Sequence, residues 1–256
     1  MCGIIGMIGV TREDKWKETH RILSHLLLAA EIRGRDATGF VARTESLERN
    51  MERRTIVAKA AVQASKFVEA NSAWRSLSHR RCSAVVGHVR LATHGSPSDP
   101  RNNHPHSSGG LHLVHNGILS SHLELVDRYC LRTESECDSE VLLRIIERSK
   151  TVPIGLSLCF LERPGAVVVY DENRDVCWMA RDESRPLWIG RMRNDRRLWF
   201  ASTSGILIDA MQNALQAAVV WEMLMPLAAN HIFCATASGT IGAVYEAPIR
   251  TKSRGQ

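Results

Sequence analysis

The second residue of the chain is a cysteine, in the opening MCGIIGMIGV. Removal of the initiator methionine, which is usual before a small residue, would leave a free α-amine beside the Cys2 thiol. An α-amine with a pKa of about 7.7 to 8.0 can accept the proton of a thiol with a pKa of about 8.5. The pair is therefore a candidate nucleophile and base that needs no histidine. A cysteine that merely follows methionine is the alternative, and this opening alone does not decide between them.

Two further blocks carry groups that suit an amide of an amino acid. In GHVRLATHG, Arg90 ends a strand-like run and precedes a loop with Thr93 and His94. Arginine can hold a carboxylate through two parallel hydrogen bonds. In VHNGIL, the Asn116 amide and the Gly117 backbone N–H could both point at a developing oxyanion. Asn-Gly is also the preferred pair for a two-residue hairpin turn, so this block has two interpretations.

Charged groups occur in two other blocks. Asp138, in SECDSEV, stands where a helical pattern begins, and its carboxylate could hold a substrate ammonium, cap the helix, or do both. In IRGRDATG, Arg33 and Asp36 lie in a glycine-flanked turn between a helix and a strand. A salt bridge within the turn explains this pair as well as a functional role does.

Hydrophobic patterning predicts the elements that position these residues. Residues 3–9 form an apolar run broken by glycines, which is typical of a buried strand. The spacing from Thr11 to Gly34 predicts a long helix with one apolar face, and a second helix is predicted to start at Asp138, a candidate N-cap. Further strands are predicted near 38–43, 54–59, 83–91, 111–116, 156–161, 165–171, 175–180, 186–190 and 197–202, with another helix from about Ile206. This mixture predicts an α+β fold in which helices cover packed sheets.

Composition favours one globular domain. The chain has 256 residues, of which 44% are hydrophobic, and we assign residues 2–247 to the domain and 248–256 to a polar tail. The seven cysteines include no CxxC pair, so we expect neither a disulfide framework nor a zinc knuckle, and a reducing, cytoplasmic compartment. The opening lacks the basic region of a signal peptide, and the apolar segment 205–229 is interrupted by polar residues, so we expect a soluble protein.

A net charge of +6 comes from scattered arginine-rich clusters. Such clusters could bind nucleic acid or an acidic partner, but no nucleic-acid-binding motif accompanies them, and a solvated basic surface explains them.

Taken together, the blocks resemble the class II, N-terminal-nucleophile glutamine amidotransferases, and most closely the glutaminase domain of glucosamine-6-phosphate synthase. MCGI, RGRDATG, GHVRLATHG, the NNHPH of residues 102–106, VHNGI and CDSEV occur in that family's order and near its spacing, over roughly residues 2–150. Six ordered blocks are far more specific than any one of them. The resemblance implies an Ntn-hydrolase αββα sandwich, with two packed antiparallel sheets between helix layers.

The resemblance also implies a role for each matching residue. Cys2 would be the nucleophile that cleaves L-glutamine, with its α-amine as base, and Asn116 and Gly117 would form the oxyanion hole. Arg90 and Asp138 would hold the α-carboxylate and the α-amine of glutamine. The residues expected to line or support the pocket are Thr93, His94, Arg33 and His104, and His106 also matches the family's HPH.

No cofactor and no metal are implied. Ammonia would pass to a synthase or ligase supplied in trans, because no acceptor domain is recognisable in the sequence. No membrane partner is expected, and nucleic acid only through the acceptor enzyme.

Three departures from the family concern gating. Leu91 stands where relatives have the tryptophan of RWATHG, which closes the pocket towards the ammonia channel, and Arg35 and Ala37 replace the Tyr and Ser of RGYDS.

Within the same fold, an amidase that hydrolyses a γ-glutamyl or related amide without ammonia transfer is the alternative function. A nucleic-acid adaptor and a histidine metal-binding module are less favoured, the latter because no HExxH or cysteine-rich spacing organises its residues. That module would comprise His88, His94, His104, His106, His112 and His115.

Overall fold

The computed structural model describes residues 1–11, 15–45 and 53–246. The helices in these ranges are α1 (Trp16–Ala30), α2 (Ala64–Ala70), α3 (Ser72–Ser76), α4 (His122–Arg128), α5 (Asp138–Arg148), α6 (Val152–Phe160) and α7 (Ser204–Leu215). The strands are β1 (Gly3–Ile8), β2 (Ala37–Thr44), β3 (Arg54–Ala60), β4 (Cys82–Arg90), β5 (His106–Ser108), β6 (Leu111–Asn116), β7 (Ala166–Asp171), β8 (Val176–Arg181), β9 (Trp188–Met192), β10 (Leu198–Ala201), β11 (Trp221–Pro226), β12 (His231–Thr236) and β13 (Ile241–Glu246). The predicted polar tail, 248–256, lies outside the described residues.

The strands form two antiparallel sheets. The first has the order β11-β9-β10-β1-β4-β2-β3, and the second β13-β12-β8-β7-β6-β5. In the first sheet β1 is central, with Gly3 opposite Val89 of β4 and Ile5 opposite Ala201 of β10. In the second sheet β6 lies between β5 and β7. The two strands that carry the predicted nucleophile and the predicted oxyanion hole are therefore interior strands of separate sheets.

Apolar side chains fill three layers. The inner faces of the two sheets meet in a core that includes Ile4, Val86 and Phe200 from one sheet and Val114 and Val168 from the other. Helices α1 and α7 cover the outer face of the seven-stranded sheet, and α5 and α6 cover that of the six-stranded sheet. Each fully buried large side chain contributes about 1.5 to 3 kcal/mol of transfer free energy. The result is the predicted αββα sandwich.

The first strand and the first long helix are confirmed, the helix ending in a 3-10 turn over Glu31–Arg33. The strand predicted near 156–161 is wrong, because residues 152–160 form helix α6. Short apolar runs do not distinguish a buried helix from a buried strand by periodicity. Here Pro153 lies in the first helical turn, and Gly155 packs so closely on α5 that an added Cβ would lie 2.6 Å from the Ile146 Cα.

Sequence patterning also did not anticipate the short helices α2 to α4 or the strands β5 and β11 to β13. Within the described ranges, no helix is both long enough and apolar enough to span a membrane.

Candidate active site

The start of β1 and the ends of β4 and β6 meet at one edge of the sandwich. Antiparallel pairing puts the start of β1, after Cys2, beside the end of β4, at Arg90. The His88 ring of β4 then joins the two sheets, because its Nε2 lies 2.9 Å from the carbonyl oxygen of His115 in β6. Asn116 follows directly and ends β6. The fold thus brings the predicted nucleophile, the arginine and the amide to the same edge.

Cys2 is half-buried against the backbone that follows β4. Its Sγ lies 3.4 Å from both the backbone nitrogen and the carbonyl oxygen of Leu91. The Arg33 Nε donates to the Cys2 carbonyl oxygen at 2.8 Å, and the Arg33 Nη2 is buried without a hydrogen-bond partner in the described part of the chain. Burial raises the pKa of the Cys2 thiol, while the Leu91 N–H, the N-terminal ammonium and the Arg90 guanidinium lower it. Because its pKa is raised, the thiol needs a proton acceptor close by to become a nucleophile.

Asp36 holds the loop after β4. Its carboxylate accepts a hydrogen bond from the Ala92 backbone N–H at 2.7 Å, and its own N–H donates to the Arg90 carbonyl oxygen at 3.0 Å. Gly34 permits this close approach, since a Cβ there would lie 2.4 Å from the Arg90 carbonyl carbon. The block around Asp36 therefore supports the site, and Arg33 bonds to Cys2 instead of forming a salt bridge within the turn.

Arg90 is buried and directs its donors at the same loop. Its Nη1 donates to the Asn103 Oδ1 at 2.9 Å, and its Nη2 donates to the carbonyl oxygens of His94 and of Gly95, the latter at 3.0 Å. A carboxylate that binds a guanidinium through two parallel hydrogen bonds uses Nη2 together with either Nε or Nη1. Both hydrogens of the Arg90 Nη2 are already used here. A carboxylate can take up the predicted two-pronged geometry only after one of these carbonyl contacts is broken.

The predicted residues Thr93 and His94 lie on this loop at the protein surface. Thr93 is exposed, and the His94 ring packs edge-on against the His122 ring with centroids 4.9 Å apart. His94 Nδ1 is 4.0 Å from the Asp138 Oδ2 and has no hydrogen-bond partner among the described residues. The loop therefore faces the start of α5.

Asp138 is the first residue of α5, and Cys137 occupies the N-cap position. The prediction that Asp138 is the N-cap is therefore wrong, because its buried carboxylate accepts from the Leu119 backbone N–H at 2.7 Å instead of capping its own helix. Leu119 lies just beyond β6. The carboxylate thus fixes the segment after the predicted oxyanion hole relative to α5.

Asn116 and Gly117 do not form a hairpin turn. The chain leaves β6 for α4, and the strands that flank β6 are β5 and β7. The Asn116 side chain is 1% exposed, and its Nδ2 donor has no hydrogen-bond partner among the residues that the structure describes. At Gly117 an added Cβ would lie 1.7 Å from the Pro164 carbonyl oxygen. The pair therefore presents a buried amide donor without a partner, and the next position must be glycine because no side chain fits there.

His104 and His106 lie in the interior. The His104 ring is 4.0 Å from the His88 ring and 4.8 Å from the His106 ring, measured between centroids. Burial lowers the pKa of His104 well below its usual value and that of His106 to about 3. His104 therefore belongs to a histidine cluster. Its ring contacts are with other histidines, and they do not indicate that it contacts the substrate.

Comparison with known proteins identifies the family. The family described as "Glutamine amidotransferase domain" matches residues 48–241, about three quarters of the chain. The chain belongs to the class II glutamine amidotransferases. The matched range includes Arg90, Asn116 and Asp138 and begins after Cys2.

Curated relatives of this amidotransferase include two enzymes named "Glutamine--fructose-6-phosphate aminotransferase [isomerizing]". The one from Bacillus licheniformis is 31% identical over 205 residues, which cover 74% of this chain and 30% of the relative. The other, from Thermus thermophilus, is 34% identical over 200 residues, again 74% of this chain and 30% of the relative. The chain therefore spans about a third of the length of these relatives.

Solved structures show the same fold. The glutamine phosphoribosylpyrophosphate amidotransferase of B. subtilis, complexed with ADP and GMP, superposes with a TM-score of 0.70 at 20% identity, covering 95% of this chain and 49% of that one. A structure described as the allosteric regulatory enzyme of purine biosynthesis gives a TM-score of 0.69 at 21% identity, covering 95% of this chain and 48% of that one. These likenesses confirm the α+β, Ntn-type architecture of the amidotransferase.

Sequence reasoning missed several residues that hold the site together. Asn103 binds both Arg90 and, through its Nδ2, the Pro97 carbonyl oxygen at 2.7 Å. Asn102 binds the Ser96 carbonyl oxygen at 3.0 Å. Both asparagines lie in the NNHPH block, whose resemblance to the family drew attention to its histidines, so the signal for the asparagines was present in the same block.

Proposed function

We propose that this amidotransferase hydrolyses L-glutamine to L-glutamate and ammonia through a thioester on Cys2, and that the ammonia passes to an acceptor enzyme in trans. The observation that carries the proposal is the unused Asn116 Nδ2 donor, buried at the same edge of the sandwich as the half-buried Cys2 thiol. Acyl transfer requires a nucleophile and a hydrogen-bond donor for the oxyanion, and both are present at this edge. Family membership supplies the reaction class.

The first half of the reaction forms the thioester. After Met1 is removed, the α-amine of Cys2 accepts the thiol proton, and the sulfur attacks the side-chain carbonyl carbon of glutamine. The carbonyl oxygen becomes an oxyanion, which accepts hydrogen bonds from the Asn116 Nδ2 and the Gly117 backbone N–H. The carbon–nitrogen bond then breaks, and the α-ammonium returns its proton to the leaving nitrogen, so that ammonia departs.

The second half restores the enzyme. A water molecule loses a proton to the α-amine and attacks the thioester carbon, and the carbon–sulfur bond breaks. Glutamate is released, and the thiolate recovers its proton. Burial raises the pKa of the Cys2 thiol, so the thiol of the unacylated enzyme is mainly protonated near neutral pH, and the α-amine must be in its neutral form to accept that proton.

Substrate recognition rests on opposite charges at the two sides of the site. The Asp138 carboxylate suits the α-ammonium of glutamine, and the positive charge of Arg90 suits its α-carboxylate. Because the Arg90 Nη2 is already bonded to two carbonyl oxygens, we propose that Arg90 contributes charge and one further N–H, and also shapes the loop that bears Thr93 and His94. Arg33, with its idle buried Nη2 beside Cys2, is a second donor within the site.

Transfer to an acceptor in trans is supported by apolar residues at the site's rim. Ile32 is 85% exposed and Leu123 is 68% exposed, and Leu91 and Ile118 are also exposed. Each of the four is adjacent in sequence to a residue at or around the site: Ile32 to Arg33, Leu91 to Arg90, Ile118 to Gly117 and Leu123 to His122. Exposed apolar side chains near a functional site are candidates for a protein-binding surface if they form one contiguous patch. An enzyme that covers this rim would keep ammonia from bulk water.

The test combines intact mass with a product assay. We expect the purified protein to begin at Cys2 and to release glutamate and ammonia from L-glutamine in equal amounts. A glutamine analogue that carries a diazoketone in place of the side-chain amide should label the Cys2 peptide, and it should label Cys130→Ala equally, because Cys130 is an exposed cysteine in the loop after α4. Full activity in protein that still carries Met1 would overturn the proposed base.

A further inference from the structure

Three buried metal-binding side chains converge beside the candidate active site. One ring nitrogen of His104, one of His106 and the Sγ of Cys137 all lie within 4.8 Å of one another. They come from two segments: His104 and His106 lie just before and at the start of β5, and Cys137 directly precedes α5. All three side chains are buried.

The two histidines of this cluster differ from other interior histidines in having idle ring nitrogens. Both nitrogens of His104 and the Nε2 of His106 are buried without a hydrogen-bond partner in the described part of the chain. By contrast, both ring nitrogens of His115 are used, at 2.8 Å from the Ser139 hydroxyl and 2.6 Å from the Pro164 carbonyl oxygen. An unsatisfied buried polar atom costs about 1 to 3 kcal/mol, so these idle nitrogens point to a missing partner.

We propose that His104, His106 and Cys137 bind a zinc ion. Two neutral imidazoles and one thiolate are a common ligand set for zinc, which takes nitrogen and sulfur ligands in tetrahedral geometry. Binding displaces the thiol proton of Cys137 to solvent, forms one metal–sulfur and two metal–nitrogen bonds, and changes no oxidation state. The bound site carries a net charge of +1.

The ligand geometry needs only a small adjustment. Zinc bonds of about 2.0 to 2.3 Å in a tetrahedron separate the ligand atoms by roughly 3.3 to 3.6 Å, against the present limit of 4.8 Å. The three atoms must therefore approach one another by up to about 1.2 to 1.5 Å. Rotation of the His104 ring towards the centre breaks no hydrogen bond, since neither of its nitrogens makes one within the described ranges.

The surroundings contain charges of both signs and space for a fourth ligand. Lys59, Arg90 and Arg144 are the cations that act on the cluster, while Asp138 and Glu140 are nearby carboxylates. A cavity of about 190 Å³ borders the cluster, with His106, Lys59 and Glu140 in its lining. This is ample space for a water molecule, which we assign as the fourth ligand.

The site would tie together the two sides of the candidate active site. His104 follows Asn103, which bonds Arg90, and Cys137 precedes Asp138, which bonds Leu119. A metal bridging His104 and Cys137 would hold the loop after β4 and the start of α5 in a fixed relation. This inference does not depend on the glutaminase proposal, because it concerns binding of the metal alone.

Cobalt is the probe, since it replaces zinc and reports its ligands by absorption. We expect metal-free protein to bind one Co²⁺ per chain, with the intense charge-transfer band of a cobalt–thiolate bond and the visible bands of a tetrahedral site. Zn²⁺ should displace the cobalt and abolish both. Cys137→Ser should remove the charge-transfer band and weaken binding roughly a hundred-fold or more, whereas Cys130→Ser should leave the band unchanged.

Two outcomes would overturn the proposal: wild-type protein without a cobalt–thiolate band, or a folded Cys137→Ser variant that keeps it. Should the serine variant fail to fold, X-ray absorption of the wild-type zinc form decides the matter. One sulfur and two imidazole ligands support the site, and any other set of protein ligands excludes it.

Discussion

Replacement of Asn116 by alanine separates a catalytic donor from a structural one. Loss of one oxyanion-hole donor lowers kcat by about a hundred- to a thousand-fold, or about 2.7 to 4 kcal/mol of transition-state stabilisation. The Asn116 Nδ2 has no partner in the described part of the chain, so its removal breaks no hydrogen bond made by that atom. We therefore expect stability to change by less than about 1 kcal/mol and KM to change much less than kcat.

Asn103 is the matched control, because it is equally buried but both ends of its amide are bonded. Its Oδ1 accepts from Arg90 at 2.9 Å, and its Nδ2 donates to the Pro97 carbonyl oxygen at 2.7 Å. Asn103→Ala should therefore cost about 1 to 3 kcal/mol per unsatisfied partner. Glutamate release gives kcat and KM, and urea unfolding gives stability. The reasoning fails if Asn116→Ala keeps nearly wild-type kcat, or if it loses as much stability as Asn103→Ala.

Three further predictions concern the nucleophile, the arginine and an interior histidine. Cys2→Ala should abolish glutamine-dependent product formation by the acceptor enzyme but leave its use of free ammonium intact; glutamine-supported turnover in the variant would reveal another nucleophile. Arg90→Lys should lower kcat/KM for glutamine roughly ten- to a hundred-fold, because lysine keeps the charge but lacks the planar fork whose Nη1 and Nη2 make the three hydrogen bonds of Arg90. A loss seen with glutamine and absent with glutaminamide would assign Arg90 to the carboxylate and not to the loop. Burial lowers the pKa of His115, so as pH falls below about 6.5 the unfolded chain binds a proton at this residue that the folded protein does not bind. The free energy of unfolding should therefore decline over this range. Urea unfolding of His115→Gln across the same range should show a shallower decline.

Sequence was a good guide where chemistry depends on local patterns. The positions of β1, β4 and β6 followed from apolar runs, and the blocks that end them contain Cys2 and Asn116, which the fold brings to one edge. Each block lies at the end of a regular element, where a short motif and the hydrophobic pattern define the position together. Agreement between these two levels is what made the family and the fold recognisable.

Sequence was a poor guide where a side chain's partner is distant along the chain. Asp138 was predicted to cap its own helix, yet it bonds Leu119, and Asn103 attracted no attention, yet it anchors Arg90. Asn116 and Gly117 match a hairpin signal, but the next element is a helix. Local statistics describe the commonest use of a residue type, whereas tertiary contacts decide the actual use.

The contacts around Cys2 explain why a leucine can stand where relatives carry tryptophan. Two backbone atoms of Leu91, its nitrogen and its carbonyl oxygen, each lie 3.4 Å from the Cys2 sulfur, and Leu91 is 44% exposed. Asp36 holds this backbone through the next residue, Ala92, independently of what side chain position 91 carries. The geometry that serves the thiol is therefore separate from the surface that faces outward. Under the proposed function, a change of side chain at Leu91 should therefore alter coupling to an acceptor enzyme and leave glutamine hydrolysis unchanged.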